Sequence, residues 1–109
     1  MSRKATDTGP VEIRNAREFQ RTVEKNERVL VDFYADWCAP CRMMEPAVEA
    51  VAEEDGVTVA KVNIDDNQKV ASAYGVRSVP TLVLFSGGEP AQKAVGAKSK
   101  EELREFVRG

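Results

Sequence analysis

Cys38 and Cys41 are the only cysteines in this 109-residue chain, and just two residues separate them. That spacing brings both sulfurs to the first turn of a helix, where the pair can cycle between dithiol and disulfide. Half of many zinc sites looks the same. The chain has no histidine and no third cysteine, however, so a zinc site lacks ligands. An inert structural bridge is the other alternative, but closing so short a loop removes little chain entropy. The pair therefore reads as a redox centre that requires neither a metal nor an organic cofactor.

Asp32 is the second chemical anomaly. It interrupts the apolar run Val29-Leu30-Val31-Asp32-Phe33-Tyr34-Ala35, where a carboxylate is costly unless paired or neutral. Desolvation raises the pKa of such a group, leaving it able to pass a proton to or from Cys41 near neutrality. Lys61, on the next predicted strand, is the expected partner of Asp32 and a source of charge tuning. Further along, Val79-Pro80-Thr81 leaves a loop and opens a strand, which makes the bond before Pro80 a candidate cis peptide.

The elements that must position these residues follow from periodicity. Val11-Glu12-Ile13 predicts a short first strand, and Asn15 with Glu18 predicts a capping box before a helix to about Asn26. Ala16, Phe19, Gln20 and Val23 share the inner spacing of that helix. Val29 to Ala35 is the pattern of a strand buried on both faces. Pro40 to about Glu54 returns to helical period through Met44, Ala47, Val48, Val51 and Ala52, with Pro46 predicting a kink. Thr58 to Asn63 is the next strand, so strand, helix and strand form a βαβ unit with parallel pairing.

A shorter helix follows from Asn67 to Tyr74 and stops at Gly75. Thr81 to Phe85 is a strand, Ser86 to Glu89 a tight turn, and Ala91 to Val95 an antiparallel edge that Pro90 opens. Ser99 and Glu102 predict a second capping box, ahead of a helix with Leu103, Phe106 and Val107 on its buried stripe. This arrangement places Cys38 at the N-cap of the second helix, where free N–H groups and the helix dipole favour a thiolate. Pro40 falls near the first helical position, where its missing N–H costs nothing.

Composition bounds the rest. With 42% hydrophobic and 31% charged residues the chain is an ordinary single globular domain, and its net charge of −2 is spread rather than clustered. A dispersed charge of that sign argues against nucleic acid as a partner. The apolar runs fall far short of the ~20 residues that span a bilayer. No apolar segment follows the basic pair Arg3-Lys4, so residues 1–10 read as a short flexible tail and not as a secretory signal. The reading expects a cytoplasmic monomer with the domain spanning residues 11–109. In that compartment a C-x-x-C pair is catalytic more often than structural.

Together these features resemble the thioredoxin family from about Val11 to Val107. The resemblance is carried by V-D-F-Y-A-D-W-C-A-P-C at 31–41, A-K-V-N-I-D at 60–65, S-V-P-T at 78–81 and V-G-A at 95–97. It implies an α/β thioredoxin fold, a five-stranded mixed sheet flanked by four helices, and activity as a general protein disulfide reductase. It further implies that Cys38 attacks and Cys41 resolves, that Asp32 is the family's buried aspartate with Lys61 its neighbouring lysine, and that Pro80 is the family's cis-proline. Trp37, Gly96 and Ala97 match the apolar surface that receives a client chain, joined by Ala39 and Pro40 of the active-site loop. Val79 would hydrogen-bond an extended client segment through its backbone. Implied partners are disulfide-containing client proteins and a thioredoxin reductase. Two positions depart from the common pattern: Ala39 stands where glycine is usual, and Tyr34 where tryptophan is frequent. The competing readings are a disulfide oxidase or isomerase, and a non-catalytic binding subunit of the same fold.

Overall fold

A computed structural model describes residues 9–109, so most of the tail expected over residues 1–10 lies outside the described residues. The element order is β1 (Val11–Ile13), α1 (Ala16–Lys25), β2 (Arg28–Tyr34), α2 (Ala39–Glu54), β3 (Thr58–Asn63), α3 (Gln68–Ala73), β4 (Thr81–Ser86), β5 (Glu89–Val95) and α4 (Lys100–Arg108). The five strands form one sheet in the order β1-β3-β2-β4-β5. β2 is central, parallel to β3 with Asp32 opposite Lys61, and antiparallel to β4 with Asp32 opposite Leu82.

Alternation along β2 builds a different core on each side of the sheet. Val29, Val31 and Phe33 join Phe19 and Val23 of α1 and Val70 and Ala71 of α3. Leu30 joins Met44, Val48 and Val51 of α2 and Leu103 and Val107 of α4. Asp32 follows Leu30 in that alternation and so faces the α2 side. Burial on both faces explains why β2 reads as a continuous apolar run.

Several local expectations need correction. Asn15 does cap α1, its Oδ1 accepting from the Glu18 N–H at 2.8 Å, but the Glu18 carboxylate does not close the box. It accepts instead from the Arg14 N–H at 2.7 Å, one residue further back, and this bond holds the Glu18 carboxyl below its ordinary pKa. The box at α4 is complete, with Ser99 and Glu102 bonded reciprocally. Ala16 is exposed, and Phe106 is only half-buried, its ring 5.7 Å from the Lys98 ammonium. β5 starts at Glu89, not after Pro90, because a bulge pairs Phe85 with Pro90 and Leu84 with Gln92. A bulge on an edge strand tolerates a residue without an N–H, so the strand runs through Pro90.

Candidate active site

The C-terminal ends of β2 and β3, the start of α2 and the loop before β4 converge at one end of the sheet. Cys38 caps α2 with extended backbone, and its Sγ accepts from the Cys41 N–H at 3.2 Å. That bond occupies one of the free amides at the helix start, the group that would stabilise negative charge on the same sulfur. Pro40 lies in the first two helical positions, where its missing N–H costs no intrahelical hydrogen bond. A disulfide joins Cys38 to Cys41, with Cα atoms 5.3 Å apart. Exposure does not separate the two cysteines, at 4% and 3%. Their difference is positional: Cys38 is the cap, and Cys41 lies inside the first turn.

The sulfurs rest against Ala35, with Tyr34, Ile64 and Val79 packed on the same cluster. The Val79–Pro80 peptide is cis, and Pro80 is buried, its carbonyl accepting from the Gly96 N–H at 2.9 Å. That bond draws Gly96 and Ala97 to the cysteine end of the sheet, and Gly96 adopts φ of +103°, a conformation that favours glycine. Val79 takes no part in backbone hydrogen bonds among the described residues. Trp37 is 67% exposed beside Cys38, its indole N–H donating to Asp65 Oδ2 at 3.0 Å. Ala39 and Pro40 are exposed next to it. Trp37, Ala39 and Pro40 thus lie exposed beside the buried disulfide.

Beneath α2, Asp32 is 1% exposed, and its Oδ1 has no hydrogen-bond partner among the described residues. Burial pushes its carboxyl pKa up from 3.8 to about 6, with Lys61 pulling it down and Glu45 and Glu12 pushing it further up. The expected Asp32–Lys61 ion pair is absent among the described residues. The two residues are in register on adjacent strands, but the Lys61 ammonium bonds Glu45 Oε2 of α2 at 3.1 Å instead. It also lies 4.4 Å from the centre of the Tyr34 ring. The physical reason is solvation: Glu45 is half-exposed and keeps its charge at little cost, whereas ionising Asp32 demands desolvation.

Tyr34 donates its hydroxyl to Glu12 Oε2 at 2.5 Å, and burial together with that carboxylate raises its pKa. Sequence reasoning missed Glu45, Glu12 and Asp65. For Glu45 a signal existed, because it lies four residues after Cys41 and so on the same helical face. Glu12 and Asp65 are reached only through the sheet order and the loop after β3, neither of which periodicity reveals.

A cysteine pair at a helix N-terminus, beside a cis-proline loop and above a buried carboxyl group, defines a thiol–disulfide oxidoreductase. The sequence model of the thioredoxin family matches residues 10–109. A thioredoxin from Alicyclobacillus acidocaldarius is 49% identical over 87 residues, covering 78% of this chain and 83% of that protein. The bifunctional thioredoxin reductase/thioredoxin of Mycobacterium leprae is 43% identical over 95 residues, covering 85% of this chain and 21% of that protein. Among solved structures, a mutant thioredoxin from Halobacterium salinarum superposes with a TM-score of 0.90 at 45% identity, covering 94% of this chain and 90% of that one. The chain belongs to the thioredoxin family. Its activity is the reduction of disulfides through a redox-active cysteine pair.

Proposed function

We infer that the chain reduces disulfides in client proteins by two successive exchanges, with Cys38 attacking and Cys41 resolving. The observation that carries this division of labour is the capping position of Cys38, whose sulfur accepts from the Cys41 N–H at the start of α2. In the first step the Cys38 thiolate attacks a client disulfide, forming a mixed disulfide and releasing one client thiolate. In the second, Cys41 loses its proton to the Asp32 carboxylate and attacks the Cys38 sulfur. The second client thiolate then leaves. Two electrons pass to the client, and the Cys38–Cys41 disulfide remains.

Lys61 acts on this proton transfer through its charge. Trp37, Ala39, Pro40, Pro80, Gly96 and Ala97 receive the client backbone, and Val79 offers it an unused N–H and C=O. The unit that does this spans residues 11–109, with residues 1–10 outside it. A thioredoxin reductase restores the dithiol; in the Mycobacterium leprae relative the name joins both activities in one chain. The setting in this reading is the cytoplasm, whose reducing poise suits a pair that cycles. The protein acts as a monomer: among the described residues the exposed large apolar side chains are Val11, Trp37, Met43 and Val95, and of these Trp37 belongs to the client surface.

Cys41→Ser tests the scheme. With Cys38 intact, the variant should accumulate mixed disulfides that gel electrophoresis resolves without reductant and that dithiothreitol releases. Failure to trap any client would remove the two-step mechanism.

A further inference from the structure

The Lys61 ammonium has three carboxylates around it, Glu12 and Asp32 opposite it on the adjacent strands and Glu45 on the helix, and it is bonded to the one on the helix. Asp32 lies directly opposite on β2, yet Lys61 is bonded to Glu45 at 3.1 Å and rests on the Tyr34 ring at 4.4 Å. Tyr34 is fixed in turn by its hydrogen bond to Glu12 of β1. Three elements, β1, β2 and α2, thus contribute to one holder for a single cation. Asp32 is left with an unpartnered oxygen.

We propose that Glu45 is a positioning residue for the exchange reaction: by holding the Lys61 ammonium on the α2 side, it withholds from Asp32 the cation that would fix it as a carboxylate. The proposal rests on the reading of Asp32 as the group that takes the Cys41 proton. A carboxyl group tightly paired with a lysine is a poor base, because the cation stabilises its charged form. Glu45 counters this in two ways, by diverting the cation and by adding a negative charge of its own. The direction agrees with the influence of each neighbour on Asp32, where Lys61 lowers proton affinity and Glu45 and Glu12 raise it.

Every element packed around Asp32 has its charged groups accounted for. β3 supplies Lys61, α2 supplies Glu45, and β1 supplies Glu12. β4 presents Leu82 opposite Asp32, and α4 faces this side with Leu103 and Val107. Glu45 is the only helical carboxylate in the set. It is half-exposed, so its replacement does not threaten the fold.

The experiment follows the Asp32 side-chain carboxyl resonance by carbon-13 NMR in the reduced protein, across the acid to neutral range. It compares Glu45→Gln, Lys61→Met and the double variant with the wild type. Glu45→Gln should move the Asp32 midpoint to lower pH by ~0.5 or more, and Lys61→Met should move it higher. In the Lys61→Met background the effect of Glu45→Gln should shrink, because only the direct repulsion remains. The pH profile for resolution of a Cys38 mixed disulfide should move in the same direction as the midpoint. An unmoved midpoint in Glu45→Gln overturns the proposal, and an equal effect in both backgrounds overturns the route through Lys61. A midpoint that moves while the resolution profile stays fixed removes Asp32 as the proton acceptor. That outcome locates the failure in the reading of Asp32 and not in the hold of Glu45 on Lys61.

Discussion

The two faces of β2 are made by alternate residues of one seven-residue strand, and they do opposite work. Toward α1 and α3 it presents Val29, Val31 and Phe33, fully buried and packed into an aromatic cluster. There Phe85 makes edge contacts with Phe19 at 5.7 Å and Tyr74 at 5.3 Å. Toward α2 the strand presents Leu30, then Asp32, then Tyr34, growing more polar as it nears the cysteines. The first face is built for density. The second gives up packing to hold an unpaired carboxyl group and a captive lysine, at the carboxyl end of parallel strands where α/β sheets open a crevice. A single strand thus separates stability from chemistry by side-chain alternation alone.

Phe85→Ala should break the apolar face most severely. The ring is 0% exposed, and truncating a buried phenylalanine costs ~3–5 kcal/mol once the cavity is included. Urea denaturation measures the loss. The folded fraction should still reduce a client disulfide at the wild-type rate, since Phe85 pairs with Val29 across the sheet and is not part of the cysteine cluster. A parallel fall in the rate per folded molecule would show that the two faces are not independent.

Asp32→Asn addresses the other face and carries the opposite sign. With its pKa near 6 against an ordinary value of 3.8, native Asp32 keeps a proton that the unfolded chain has already released. Stability therefore falls as pH rises from 3.8 to about 6, and above that window it stays lower by about 3 kcal/mol. Asparagine escapes this loss. Compared in the same redox state, the variant should gain on the wild type at neutral pH, and the advantage should close below the window. A stability difference independent of pH would mean that Asp32 does not titrate as a buried group. Kinetically, Asp32→Asn should slow release from the mixed disulfide more than it slows the initial attack. Equal slowing of both steps would refute its proton role.

How far each face was legible in sequence follows the same division. The apolar face is written locally: Phe19 and Val23 at helical spacing and the run from Val29 to Phe33 each announce their burial. The cap at Cys38 is also local, set by Pro40 and by a strand ending at Tyr34. Asp32 was visible as an anomaly because charge inside an apolar run needs no partner to be conspicuous. The destination of Lys61 was not visible. Strand register alone places it opposite Asp32, and only the packing of α2 over the sheet brings Glu45 close enough to take it. The Pro90 bulge was hidden for a similar reason, since register between β4 and β5 is a property of the pair. Glu18 reaching Arg14 in place of Asn15 shows that even a capping motif fixes its partner only to within one residue.

The smallest effect concerns a part of the α2 face that does no chemistry. α4 packs Leu103 and Val107 against the same core as Met44 and Val48, so it shares a face with the active site without touching it. Its start is held by Ser99 Oγ accepting from the Glu102 N–H at 3.1 Å and by the Glu102 carboxylate accepting from the Ser99 N–H at 2.9 Å. Ser99→Ala deletes the first of these bonds and should cost ~1 kcal/mol. The rate of client reduction below the melting transition should be unchanged, because α4 supports α2 through apolar contacts that survive the loss of a cap. If that rate fell with stability, the helix start carrying Cys38 would depend on the packing beneath it, and the division between stability and chemistry would run within the α2 face, not between the two faces of the sheet.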